Sequence, residues 1–316
     1  VTKVVFVHGV GKQYLSEDSL ARDVVPELRG GTRLADGPVP TAEEVGVAFY
    51  GDLFRPAGTR SAGDEPFDAA DVVDDDEFDL LMAWWAEAAR VDPGVPGPDS
   101  GGTRGVAGAV GARAVRLKTV RAALDALTGA RFLTGVLDRA LIGDLKQMVR
   151  YLTDEDVRAR ARARVAARIT PKTRVVVAHS LGSVVAYETL CNTSHRVDTL
   201  VTLGSPLGMR ALVHDRLRPA PIEGMGWWPQ GLRAWTNIAD SGDVVAVVRE
   251  LRHTFGERVT DVVVDNGSHM HDATRYLTAV ETGTAIAAGL RADESDRFDA
   301  RAEALRWAAG GTGSGE

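Results

Sequence analysis

The chain has a single cysteine, Cys191, among its 316 residues. One thiol closes no intramolecular disulfide and builds no cysteine zinc site, so the core alone must hold the fold and the compartment reads as reducing. Cys191 falls where a helix is expected to end and reads as a buried structural thiol. Positive charge is also in deficit: the formal net charge is −7, which removes any global attraction to nucleic acid or anionic membrane. No stretch supplies the long uncharged apolar run of a membrane helix. No signal-peptide pattern is visible either, because the first residues pass straight into VVFV and His8-Gly9. The expectation is a soluble, cytoplasmic protein with no nucleic-acid partner. His195, His214 and His253 lack ligand spacing, so neither a metal nor a cofactor is expected. A Walker phosphate loop is excluded at residues 8–13, since Phe6 and Gln13 stand where glycine and serine or threonine are required.

With 44% hydrophobic and 26% charged residues, the chain can bury a large core as one elaborated domain or two. Short runs rich in β-branched residues recur at 4–7, 45–50, 174–177, 197–203, 232–238 and 259–264, and most are separated by helical patterns. That alternation predicts an α/β fold with a mostly parallel sheet. The first helix is expected to start near Ser16 or Glu17 and to end before Gly30-Gly31. After Tyr50 the alternation breaks. An acidic run over 64–79 holds Asp74, Asp75, Asp76 and Glu77 and reads as solvated. Leu80, Leu81, Trp84 and Trp85 then follow at helical spacing, and a Pro/Gly-rich break spans 93–105. Two helices are expected over 109–127 and 132–152, their apolar residues three and four apart. Residues 51–150 therefore read as a helical insertion, lid-like or cap-like, between 1–50 and 151–308 of the sheet domain. Its apolar face is expected to pack on the sheet or roof a pocket, with transient contact to a membrane surface as the alternative. The next helix carries Arg158, Arg160, Arg162, Arg164 and Arg168, read as a solvated face pairing with acids. A helix over 272–290, a further one to Trp307 and a disordered tail over 309–316 complete the chain.

Chemistry is concentrated at the strand ends. The run Arg174 to Val177 stops at Ala178-His179-Ser180-Leu181-Gly182 and a helical pattern begins at once. A strand, a small-x-Ser-x-Gly turn and a helix make a nucleophile elbow that lifts the Ser180 hydroxyl off the sheet. The alternative is an ordinary turn in which Ser180 caps the helix. After the first strand comes HGVG, either an oxyanion loop or a glycine turn with a packed histidine. Trp227 and Trp228 could line an acyl pocket, although packing in a core or lid is the commoner use. A serine nucleophile needs a base and an acid that orients it, each on a loop at a strand end. Asp243 and His271 follow later strands in the order Ser, Asp, His. Asp240 and His269 are the runners-up, with a structural role in the turn as the other reading of Asp240.

Taken together, HGVG, AHSLGS, LGSPLG, NIADSGDVVA and HDATRYL resemble the α/β-hydrolase superfamily in its lipase-like branch, similar to intracellular lipases and inositol-lipid deacylase-like proteins. The resemblance covers residues 1–50 and about 150–290 and leaves the insertion outside. It implies an α/β-hydrolase fold that starts at the superfamily's third strand, with a sheet of about six strands. It further implies Ser180 as nucleophile, His271 as base through the HxAxxYL pattern, and Asp243 as acid through Gly-Asp-x-Val. Backbone N–H groups of Leu181 and Val10 would form the oxyanion hole. Ala178 departs from the pattern, standing where the stricter elbow has glycine. The implied activity is hydrolysis of a carboxylic ester, lipid or other acyl ester. Thioesterase, amidase or peptidase action with the same triad, or an interaction or sensor module on the same scaffold, are the alternatives.

Overall fold

In the computed structural model, residues 1–55, 67–98, 109–129 and 138–291 are described. The elements in chain order are β1 (Val4–Val7), α1 (Glu17–Leu34), β2 (Val45–Ala48), α2 (Asp75–Val91), α3 (Ala109–Thr128), α4 (Asp138–Thr153) and α5 (Glu155–Arg168). There follow β3 (Val175–His179), α6 (Leu181–Asn192), β4 (Thr199–Leu203), β5 (Ala234–Asp240), α7 (Arg252–Phe255), β6 (Val259–Val264) and α8 (Ala273–Thr278). A last described helix, α9, covers residues 280–291. The further helix expected to Trp307 and the tail lie outside the described residues.

The strands form one six-stranded sheet in the order β2-β1-β3-β4-β5-β6, with every neighbouring pair parallel. Buried β-branched runs suit such a sheet because both of its faces are covered. Alternate residues supply the two faces. Val4, Phe6, Val175, Val177, Val201 and Ile238 pack with Leu20, Val24 and Leu28 of α1 and with Tyr276, Leu277 and Ile286 of α8 and α9. Val5, Val7, Val176 and Ala178 face the other way, into a core shared with α2 to α6. The insertion's apolar residues, among them Leu81, Trp84, Leu124, Leu127, Ile142 and Leu145, belong to that same core. Burial against the sheet's helical layer, not against solvent, is what orders them.

Several local expectations are corrected. Helix α1 continues through Gly30-Gly31 to Leu34. At Gly31 the reason is packing, since a Cβ there would lie 2.1 Å from the Leu277 carbonyl oxygen, so glycine lets α1 approach α8. The expected helix over 272–290 breaks at Ala279, whose φ of −62° and ψ of 136° are extended. The acidic run is only partly solvated. Asp74 caps α2, while Asp75, Asp76 and Glu77 pair with Arg116, Arg216 and Lys146. Arg158 is not on a solvated face: it is 1% exposed, and its guanidinium bonds the buried Glu188 of α6, which also accepts from Tyr151 of α4. The other four arginines of α5 do pair with acids at the surface. Cys191, half-buried, sits next to the end of α6, and burial pushes its thiol up to about 12.

The chain leaves β1 for β2 on one side and returns to β3 on the other. Between β1 and β3 the connections therefore diverge, and a crevice opens beyond the carboxyl ends of these strands. Among the described residues no helix is long and apolar enough to cross a membrane.

Candidate active site

Ser180 stands between the last residue of β3 and the first of α6, at φ 54° and ψ −130°. A positive φ on a non-glycine residue costs on the order of 1–3 kcal/mol and persists only where the surroundings impose it. An N-cap serine would have extended backbone and bond an N–H of the first turn. Ser180 does neither: its side chain caps nothing and its hydroxyl lies 3.0 Å from His271 Nε2. Below it, the Ser180 N–H is tied to Leu203 O at 2.9 Å, and Ser183 Oγ donates to Ser180 O at 2.6 Å.

His271 lies in the turn between β6 and α8. Its Nδ1–H donates to Asp243 Oδ2 at 2.8 Å, so Nε2 is left to accept from Ser180. Asp243 is fully buried after β5 and is held by three further donors: Tyr276 Oη at 2.7 Å on Oδ2, and the N–H groups of Val245 at 2.9 Å and Ala246 at 3.3 Å on Oδ1. Burial opposes ionisation of Asp243, but the His271 charge and these hydrogen bonds outweigh it and hold its carboxyl below the usual range. Burial likewise disfavours a charged His271. The charge and hydrogen bond of Asp243, reinforced by Asp144 and Asp272, overcome this and raise its pKa above the ordinary imidazole value. His179, at the end of β3, donates from Nε2 to the His271 carbonyl at 3.0 Å. Burial first, and then the His271 charge, drive the pKa of His179 well below 6.5, so it remains neutral.

The two runners-up are elsewhere. His269 is exposed, and its backbone helps to form the turn. Asp240 accepts from the Gly242 N–H at 2.7 Å and from the Asn266 N–H, which staples the turn after β5 to the turn after β6. It also presents its own N–H to Tyr276 Oη at 2.7 Å. Tyr276 thus links both aspartates, and it was visible in the sequence only as part of HDATRYL.

The loop after β1 approaches Ser180 from the other side. His8 is buried and stacks on Tyr50 with ring centroids 4.1 Å apart; its Nδ1–H donates to Gly9 O at 2.7 Å and its Nε2 accepts from the Tyr50 N–H at 3.1 Å. Burial lowers its pKa to about 4, so it is a neutral fastener of the loop. Helix α4 of the insertion completes the fixing: Gln147 Oε1 accepts from the Gly11 N–H at 3.2 Å, and its Nε2 donates to Gln13 Oε1 at 3.2 Å. Nothing in the spacing of residues 138–153 indicated this contact. Leu181, as the first residue of α6, has no intrahelical acceptor for its N–H.

A cavity of about 560 Å³ opens here, lined by Val10, Ser180, His179 and His271 together with residues of α1 and α4. A larger groove of about 750 Å³ between residues 69–73 and α3 contains none of these groups. Trp227 and Trp228 line neither: their indole N–H groups donate to Ala220 O and Leu232 O, each at 2.9 Å. The chain matches no protein-family model and no curated protein sequence.

Proposed function

We propose that the protein is a serine hydrolase of α/β-hydrolase type that cleaves a carboxylic ester. The observation that carries this reading is the chain of hydrogen bonds from Ser180 Oγ through His271 to buried Asp243, at distances of 3.0 and 2.8 Å, with Ser180 in a strained conformation beside a cavity. Ser180 Oγ attacks the ester carbonyl while His271 Nε2 takes its proton. Asp243 stabilises the imidazolium and remains ionised. The tetrahedral oxyanion is met by the N–H groups of Leu181 and Val10, each such donor worth about 3 kcal/mol in the transition state. His271 then protonates the departing alkoxide, and water, activated by the same histidine, releases the acyl group from Ser180. A scaffold kept only for binding gives no reason to hold a serine at φ 54° with its hydroxyl on an imidazole. The test is labelling with a fluorophosphonate probe. Wild type should be labelled and Ser180→Ala should not; label persisting in the alanine variant assigns the wrong serine.

A further inference from the structure

The cavity above Ser180 has two unlike sides. One is apolar, formed by Phe6, Leu15, Leu20 and Val24. The other carries Asp144 from α4, and Lys12, Asp23 and Asp272 also line the cavity. Asp144 rests against the oxyanion loop, with Oδ1 3.1 Å from the point a Cβ on Gly11 would occupy. Among the described residues, neither Asp144 nor Asp23 has a hydrogen bond or ion pair, whereas Asp272 spends Oδ1 on capping α8 through the N–H groups of Thr274 and Arg275. Of the three histidines that share the cavity, His8 and His179 are held neutral by burial, whereas the His271 pKa is raised. Lys12 and, when protonated, His271 are thus the cations set against three carboxylates.

Asp144 is partly exposed at the cavity wall, and a half-buried carboxylate without a partner is stabilised by a cation that hydrogen-bonds to it. Burial pushes Asp144 up to about 6, against the opposing charges of His271 and Lys12. Its charge adds to that of Asp243 in raising the His271 pKa, but its two oxygens accept no hydrogen bond, and the residue lines the space a substrate must enter. We propose that the ester cleaved here carries a cationic, hydrogen-bond-donating group such as a primary ammonium, which docks on Asp144 while its apolar part lies along Phe6, Leu15, Leu20 and Val24. A volume of about 560 Å³ suits one small amphiphile of this kind. Asp144 is then a specificity-determining residue, supplied to the sheet domain by the insertion. This inference rests on the hydrolase reading above.

The experiment compares p-nitrophenyl 6-aminohexanoate with p-nitrophenyl hexanoate at pH 8, using the full chain. Wild type should favour the cationic ester in kcat/KM by about tenfold, chiefly through KM, as one charge-assisted hydrogen bond allows. Asp144→Asn should bring the ratio close to one, and Asp144→Glu should retain part of the preference. Because both esters are measured on each preparation, a loss of folded protein cancels in the ratio. Hydrolysis of both esters without cationic preference, or a preference that survives Asp144→Asn, overturns this inference and leaves the hydrolase reading standing. Turnover of neither ester, together with no labelling of Ser180, sinks both.

Discussion

Replacing Gly204 by alanine tests the proposed catalytic geometry without replacing a reacting group. Gly204 follows β4 at φ 54°, and a Cβ built there lies 2.7 Å from Asp243 Oδ2, 3.1 Å from His271 Nδ1 and 3.1 Å from Tyr276 Cε2. The methyl group would enter the hydrogen bond that orients the imidazole. Left-handed backbone on alanine costs about 1–2 kcal/mol, and overpacking at a buried site adds about 1–3 kcal/mol. Backbone Gly204 is pinned by its N–H to Ile238 O at 2.9 Å, so relief must come from the Asp243 carboxylate. That carboxylate is held by four donors, and moving it stretches the 2.8 Å contact with His271. A displacement approaching 1 Å costs about 10²-fold in rate, or about 2.7 kcal/mol of transition-state stabilisation. Gly204→Ala should therefore lower stability in urea unfolding by about 2–5 kcal/mol and kcat for an activated ester by about 10²-fold or more. Gly231→Ala is the control. Its φ is 84°, but the nearest atom to its added Cβ is 4.0 Å away, so it should cost about 1–2 kcal/mol of stability and leave kcat unchanged. A folded Gly204→Ala protein with kcat within about threefold of wild type would refute the reasoning, because the contact it crowds would not then govern the rate.

His271→Ala should lower ester turnover by about 10³-fold or more, whereas His269→Ala, on an exposed side chain, should change it by less than about threefold; the reverse pattern would mean that the base is misassigned. The base must be neutral, and the pKa of His271 is raised, so kcat/KM should fall as pH drops through a midpoint above 6.5. Asp243→Asn should move that midpoint down and reduce kcat by about 10⁴-fold, as read from pH–rate profiles. Tyr276→Phe leaves the buried Asp240 N–H without its acceptor and removes a donor from Asp243, so unfolding free energy should fall by about 1–3 kcal/mol and the acid limb should move up; an unchanged urea midpoint would count against this linkage.

The parts of the fold carried by short-range pattern were legible in the residues themselves. β-Branched runs without polar alternation specify strands buried on both faces, and their separation by helices implies a parallel sheet. The turn at Ala178 to Gly182 announced a serine at a strand-to-helix junction for the same local reason. Pattern was blind to contacts between segments. Gly30-Gly31 read as a helix end, because what keeps α1 running there is the approach of α8. Arg158 read as solvated, because Glu188 lies 30 residues further along the chain. Sequence order alone offered two aspartates and two histidines within a few residues of each other. The tertiary turns decided which pair joined Ser180: His271 reaches its hydroxyl and Asp243 reaches His271, while Asp240 staples two loops and His269 faces water. Gln147 and Asp144 gave no local signal at all, since their positions against the loop after β1 exist only once α4 has packed into the shared core. By itself the sequence determined which segments become strands and which serine sits at the turn. The surroundings of that serine were decided only by the tertiary structure, because a side chain's partners are set by how distant turns and helices meet.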